Sequence, residues 1–436
     1  MSESAPSVST ALDIETGTSA TPKKQRPKGV GLCLSGGGYR AALFHLGTMR
    51  CLHDMGILQT VETVSSVSGG SIVSAYLARR LIELEKTGGL SFDNWETDVA
   101  VGFRKFVRND IRTVPILVHV LWNWIAPERR AQHLERNYRR KLTSRKGKKG
   151  EAEILLEQLP DKPDFIFCST DLTFGVNWLY GRTRVGDYQI GYTPAAGWTL
   201  ANAVTASSSF PPVFGPLQIK IDPDQFKNGK YEGSDRESLV SRIQLTDGGV
   251  YDNFGLEPID QNHRTIIISD GGAPFGFVRS SWFVSRILRY TTVIMRQVGA
   301  LRKEFFHTGL TKGWHKGVYL GIGDVIEDES TDGLEYYSVD TTQRLIMTIR
   351  TDLDRFSEEE ARILENHGYF VTHHKIMTRC AELVPNRAYQ PMIPHADWTS
   401  DKVVQTALKD SGKRLQFRRI ALTIGEYLGN SREKVI

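Results

Sequence analysis

No stretch of this 436-residue chain stays apolar for 18 residues or more, so no transmembrane helix is expected. The N-terminus lacks the charged start, apolar core and cleavage site of a secretion signal. Cysteine is scarce. Cys33, Cys51, Cys168 and Cys380 share no short spacing, which argues against both a zinc site and a disulfide framework. Reduced, buried thiols in the cytoplasm are the expectation. Charge is nearly balanced, with 55 basic against 50 acidic residues and a net +5. That surplus suits an anionic lipid surface and is too small to argue for nucleic acid. No G-x-x-x-x-G-K-[ST] loop is present, so a nucleotide P-loop is excluded. The eleven histidines are scattered, and none sits in an evident catalytic context. A Ser-His-Asp triad therefore has no sequence signature, although its partners would meet in space rather than in sequence.

What is present is a globular composition, 40% hydrophobic and 24% charged. Residues 1–28 are rich in Ser, Thr, Ala and Pro and read as a disordered tail. Gly29 to Leu34 reads as a buried strand, Tyr39 to Met55 as a helix with Gly56 as its C-cap, Thr60 to Ser66 as a strand and Ser71 to Glu85 as a helix. Alternation on that scale predicts an α/β fold with a parallel sheet. Further strands are predicted at Asp164 to Ser169, Ile243 to Thr246 and Thr265 to Ser269. An insert at about 112–150 joins the apolar run Val114 to Ala126 to the basic run Arg129 to Lys149. It reads either as a packed helix with a solvated loop or as a lipid-facing lid. Phe277 to Phe306 is a long helical candidate with Arg279, Arg286, Arg289 and Arg296 along one face. Ser357 to Glu360 has capping-box form. Residues 301–436 read as a mostly helical C-terminal extension with no assigned chemistry.

Three segments carry chemistry. In Ser65 to Ser71, Ser68 alone fits a small-x-Ser-x-Gly elbow between a strand and a helix, the turn that lifts a nucleophile above a sheet. Ser35-Gly36-Gly37-Gly38-Tyr39-Arg40 is a glycine loop whose N–H groups could face an oxyanion. On its own it also allows a dinucleotide, although no acidic residue ends a strand some twenty residues on. Asp247-Gly248-Gly249 offers a carboxylate at a strand end, and Asp270-Gly271-Gly272 offers a second of nearly equal merit.

In chain order, the glycine loop, the elbow some thirty residues later and the distal Asp-Gly-Gly together resemble the patatin-like phospholipase family, over about Gly29 to Gly272. The resemblance implies a three-layer α/β/α sandwich with a mainly parallel sheet, formed by a catalytic domain at 29–300. It implies a Ser–Asp dyad of Ser68 and Asp247, with Val250 to Asn253 favouring Asp247 over Asp270. It implies an oxyanion hole at Gly36, Gly37 and Gly38, with Arg40 supporting it, and neither metal nor organic cofactor. The substrate would be a phospholipid or other acyl-ester lipid, with a peripheral membrane surface as partner. A transacylase and a non-catalytic lipid binder on the same fold are the alternatives.

Overall fold

A computed structural model describes residues 29–85, 90–109, 111, 128–142, 153–211, 214–272, 283–326 and 334–409. Five strands run parallel in the order β11 (Lys316–Gly321), β10 (Thr265–Asp270), β1 (Val30–Leu34), β2 (Val61–Val67) and β3 (Asp164–Asp171). Beyond β3 the sheet turns antiparallel, through β4 (Val176–Tyr180), β5 (Arg184–Asp187), β6 (Gly191–Pro194) and β8 (Lys227–Asn228). β9 (Ile243–Asp247) also pairs antiparallel with β3, and β7 (Leu217–Ile219) pairs with β9.

The longer helices are α1 (Gly38–Asp54), α2 (Gly69–Glu83), α3 (Val101–Val107), α4 (Glu128–Leu142), α5 (Leu200–Ser208), α6 (Phe283–Thr311), α7 (Glu358–Arg379) and α8 (Asp401–Leu408). Parallel strands covered on both faces must be apolar throughout. Leu32, Cys33 and Leu34 are accordingly all inaccessible, and so are Ile266, Ile267 and Ile268. Their side chains alternate between two cores. Leu32, Leu34 and Ile267 join the larger core with α1 and α2, while Cys33, Ile266 and Ile268 join a smaller one with Phe254 and with Phe306 of α6. The protein is therefore a three-layer α/β/α sandwich. All four cysteines are buried free thiols.

The five expected strands, β1, β2, β3, β9 and β10, and the first two helices lie within about two residues of the sequence expectation, whereas β4 to β8 and β11 have no counterpart in it. Gly56 follows α1 with φ 79°, as a C-terminal glycine should. The predicted capping box forms, with Ser357 Oγ accepting the Glu360 N–H at 3.2 Å and Glu360 Oε2 accepting the Ser357 N–H at 2.8 Å.

No domain boundary falls near residue 300. α6 runs across that point, β11 is a strand of the main sheet, and α7 packs along α1. Glycine makes that last contact close: a Cβ on Gly47 would lie 1.8 Å from the Glu365 carbonyl oxygen, and one on Gly368 would lie 2.0 Å from the Phe44 carbonyl oxygen. In an open helix Gly→Ala stabilises by about 1 kcal/mol. Gly47→Ala is expected to have the opposite sign, costing roughly 1–3 kcal/mol through overpacking, readable as a lowered midpoint of thermal unfolding. Of the insert, α4 buries Ala131, Leu134 and Tyr138 and packs on α5. Residues 1–28, the apolar run Val114 to Ala126, most of the basic run beyond Leu142, and residues 410–436 lie outside the described residues.

Candidate active site

Sheet register brings the key side chains together. β3 pairs with β4 along one edge, from Phe167 to Asp171. Its other edge is shared: β2 occupies it up to the pair Val67–Cys168, and β9 occupies it from the pair Asp247–Ser169 onward. The two strands run in opposite directions and meet end to end at consecutive residues of β3. Ser68, the residue after β2, and Asp247, the last residue of β9, therefore face each other across that junction. Asp270 ends β10, two strands from β2 with β1 between, about 10 Å away at ordinary strand spacing.

Ser68 has φ 50° and ψ −113°, a conformation L-residues seldom adopt, and α2 begins at the next residue. Such strain persists only where the surroundings impose it. Here a Cβ on Gly69 would fall 2.2 Å from the Gly38 carbonyl oxygen, and one on Gly70 would fall 2.2 Å from that of Leu34. The Ser68 N–H donates to Ser207 Oγ at 3.0 Å, and that hydroxyl donates to the Cys168 carbonyl at 2.6 Å. Ser207, at the end of α5, thus ties the elbow to β3. Nothing in the sequence around Ser207 marks that role.

Asp247 is almost fully buried. Its Oδ1 accepts the Gly249 N–H at 2.8 Å, whereas Oδ2 lacks a partner of hydrogen-bonding geometry. Burial pushes its carboxyl up to about 6, and the Ser68 side chain and the Gly249 N–H pull the other way. Ser68 is thus close enough to favour the carboxylate without making a full hydrogen bond to it.

The glycine loop runs beside the serine. A Cβ on Gly36 would lie 3.2 Å from Ser68 Cβ and 2.5 Å from Asn253 Oδ1. The Gly36 N–H donates to the Asn253 carbonyl at 3.0 Å, so it is committed within the protein. Gly37 and Gly38 carry φ values of 143° and 61°, which suit glycine best. Arg40 does not face the cavity. It is buried, and it donates from Nη1 to the Met347 and Ile349 carbonyls at 3.1 and 2.9 Å and from Nη2 to the Gly271 carbonyl at 2.9 Å. Desolvation lowers its pKa to about 10, against the attraction of Asp270. Arg40 is a clamp joining the loop to the C-terminal region.

Gly37, Gly38, Ser68 and Asp247 line a cavity of about 670 Å³, with Phe210, Phe214 and Met295 as apolar wall. Asp270 lines it too, but its carboxylate accepts the Tyr319 hydroxyl and the Gly272 N–H. Among the described residues no histidine lines this cavity, and no group of three or more His, Cys, Asp or Glu is placed to hold a metal.

The family model described as patatin-like phospholipase matches residues 32–260, more than half of the chain. The chain belongs to the patatin-like phospholipase family. The matched span contains the glycine loop, Ser68 and Asp247, and stops short of Asp270. At the family level this makes the protein a lipid acyl hydrolase. No curated protein sequence matches significantly. Among solved structures the chain is similar to VipD from Legionella pneumophila, at 13% identity over 89% of this chain and 75% of that one, with a TM-score of 0.32. It is also similar to human GIVD cytosolic phospholipase A2, at 11% identity over 87% of this chain and 62% of that one, with a TM-score of 0.46. A third similarity is to the type III effector protein ExoU, at 12% identity over 94% and 65%, with a TM-score of 0.31. The chain thus spans less than two thirds of the latter two. Likeness this distant says nothing about their activities here. Among the described residues no helix is long and apolar enough to cross a membrane.

Proposed function

We propose that this patatin-like protein is a serine lipid acyl hydrolase of phospholipase or lysophospholipase type, working through a dyad of Ser68 and Asp247. The observation that carries the reading is the meeting of β2 and β9 on one edge of β3, which sets a strained serine against a buried carboxylate. Asp247 takes the proton from Ser68 Oγ as that oxygen attacks the ester carbonyl carbon. The N–H groups of Gly37 and Gly38 hold the oxyanion, while Gly36 supplies the close approach that a side chain would block. Collapse expels the alcohol, which takes the proton from Asp247 and leaves an acyl-serine. Water, deprotonated by Asp247, then releases the fatty acid and restores Ser68. The substrate is a phospholipid or other acyl-ester lipid met at the surface of a lipid assembly.

The elevated Asp247 pKa suits a base, since a carboxylate near its ordinary 3.8 would hold a proton too weakly at neutral pH. Only the deprotonated form can act. Hydrolysis of a soluble short-chain ester should therefore rise with pH through about 6 and level off above it. The check is a kcat/KM profile on purified protein. Full activity persisting at pH 4 would remove Asp247 as the base.

A further inference from the structure

Helix α6 has two unlike faces. The inner face, with Met295, Arg296, Gly299 and Lys303, walls the cavity, and Phe306 is fully buried. On the outer face Tyr290, Ile294 and Leu301 are 62%, 62% and 64% exposed. Their spacings of four and seven residues put all three in a narrow arc of the helix. The stripe continues beyond them. The Phe305 ring meets Trp314 at 6.2 Å, and Trp314 is itself half exposed. From Tyr290 to Phe305 the helical rise is about 22 Å. Single exposed apolar residues are ordinary, whereas a row of them along one helix face, interrupted here by Gln297, marks an interaction surface.

Charge identifies the occupant. Arg296 and Lys303 face the cavity and Arg302 pairs with buried Asp252 at 3.5 Å, but Arg286, one turn before Tyr290, and Lys312, just past the helix end, are exposed beside the stripe, against one exposed acid there, Glu304. An apolar stripe flanked by exposed cations suits the headgroup layer of an anionic bilayer, where those cations meet lipid phosphates and the apolar side chains enter the acyl boundary. Tyr290 and Trp314 join an apolar ring to a polar tip, the combination favoured at that depth.

We propose that the outer face of α6, formed by Tyr290, Ile294 and Leu301 and continued by Trp314, docks on an anionic lipid bilayer. Docking leaves the catalytic cavity one helix diameter, about 10 Å, from the membrane. The choice of a lipid surface rests on the proposed lipid substrate, but docking itself requires no turnover.

The test uses the full chain with Ser68→Ala, so that vesicles stay intact, and follows flotation with phosphatidylcholine vesicles with and without phosphatidylserine. Binding is expected with phosphatidylserine and should weaken with added salt. Combining Tyr290→Ser, Ile294→Ser and Leu301→Ser should lower it on the order of tenfold or more. Exchanging Ile294→Leu and Leu301→Ile should leave it as in the parent. With Ser68 restored, the triple variant should still hydrolyse a soluble short-chain ester at the wild-type rate. Unchanged vesicle binding by the triple variant overturns docking at this face. So does loss of binding accompanied by lower thermal stability and lower soluble-ester turnover, which would place the stripe inside the fold. A change of oligomeric state with unchanged lipid binding would assign the face to a second copy of the chain. A wild type inactive on the soluble ester bears on Ser68 and leaves the binding result standing.

Discussion

Asp247→Asn is expected to cost activity and gain stability at once. The activity loss should be about 10²–10⁴-fold, the usual worth of a positioned base. The stability gain follows from burial. Asp247 has a folded pKa raised from 3.8 to about 6, so the folded protein resists its charged form. Below pH 3.8 the group is protonated in both states and imposes nothing. As pH rises through about 6 the folded state must carry the charge, and the penalty reaches about 3 kcal/mol at 1.36 kcal/mol per pKa unit. An asparagine has no such charge, keeps an acceptor for the Gly249 N–H, and can turn its amide toward Ser68. The variant should unfold a few degrees higher than wild type at pH 8 and show little advantage at pH 4. Thermal unfolding at the two pH values checks this. An advantage equal at both would mean that the charge is not its source.

Ser68 yields the second large effect, and two substitutions separate its chemistry from its strain. Ser68→Ala and Ser68→Gly both remove the hydroxyl, and both should lower ester hydrolysis by 10³-fold or more, about the worth of an attacking group and its base together. They should differ in stability. Alanine keeps a Cβ at φ 50°, where L-residues are strained, whereas glycine is at ease there. Ser68→Gly should therefore be more stable than Ser68→Ala by about 1–3 kcal/mol, measured by chemical denaturation. Equal stabilities would show that the elbow stores no backbone strain.

Much of this was legible in the sequence because it is local. Strands such as Ile266 to Ile268 are short apolar runs with punctuated ends, and the elbow is a strand, a tight turn and a helix in adjacent residues. The meeting of Ser68 with Asp247 is not local. It depends on β9 inserting antiparallel beside β3, nearly 180 residues after the elbow, and strand periodicity carries no pairing information. For the same reason strand-end chemistry alone ranks Asp247 and Asp270 nearly equal, and only the resemblance at Val250 to Asn253 favours Asp247; the sheet order adds that β1 lies between Asp270 and the serine. Two residue roles were hidden in the same way. Gly36 reads as a donor to an oxyanion, but its N–H belongs to Asn253. Arg40 reads as an accessory to the loop and turns out to be buried among three carbonyls, two of them from the C-terminal region. That region looked like an appendage because β11, Lys-Gly-Val-Tyr-Leu-Gly, carries two glycines and a weak apolar signal. Its place is earned through pairing with β10.

The most direct test of the central claim is free fatty acid release from phospholipid vesicles by wild type and Ser68→Ala, compared at pH 8. The account predicts release by wild type and none above background by the variant. Equal release by both would contradict it, because no other serine in the described cavity stands beside a carboxylate at a strand junction.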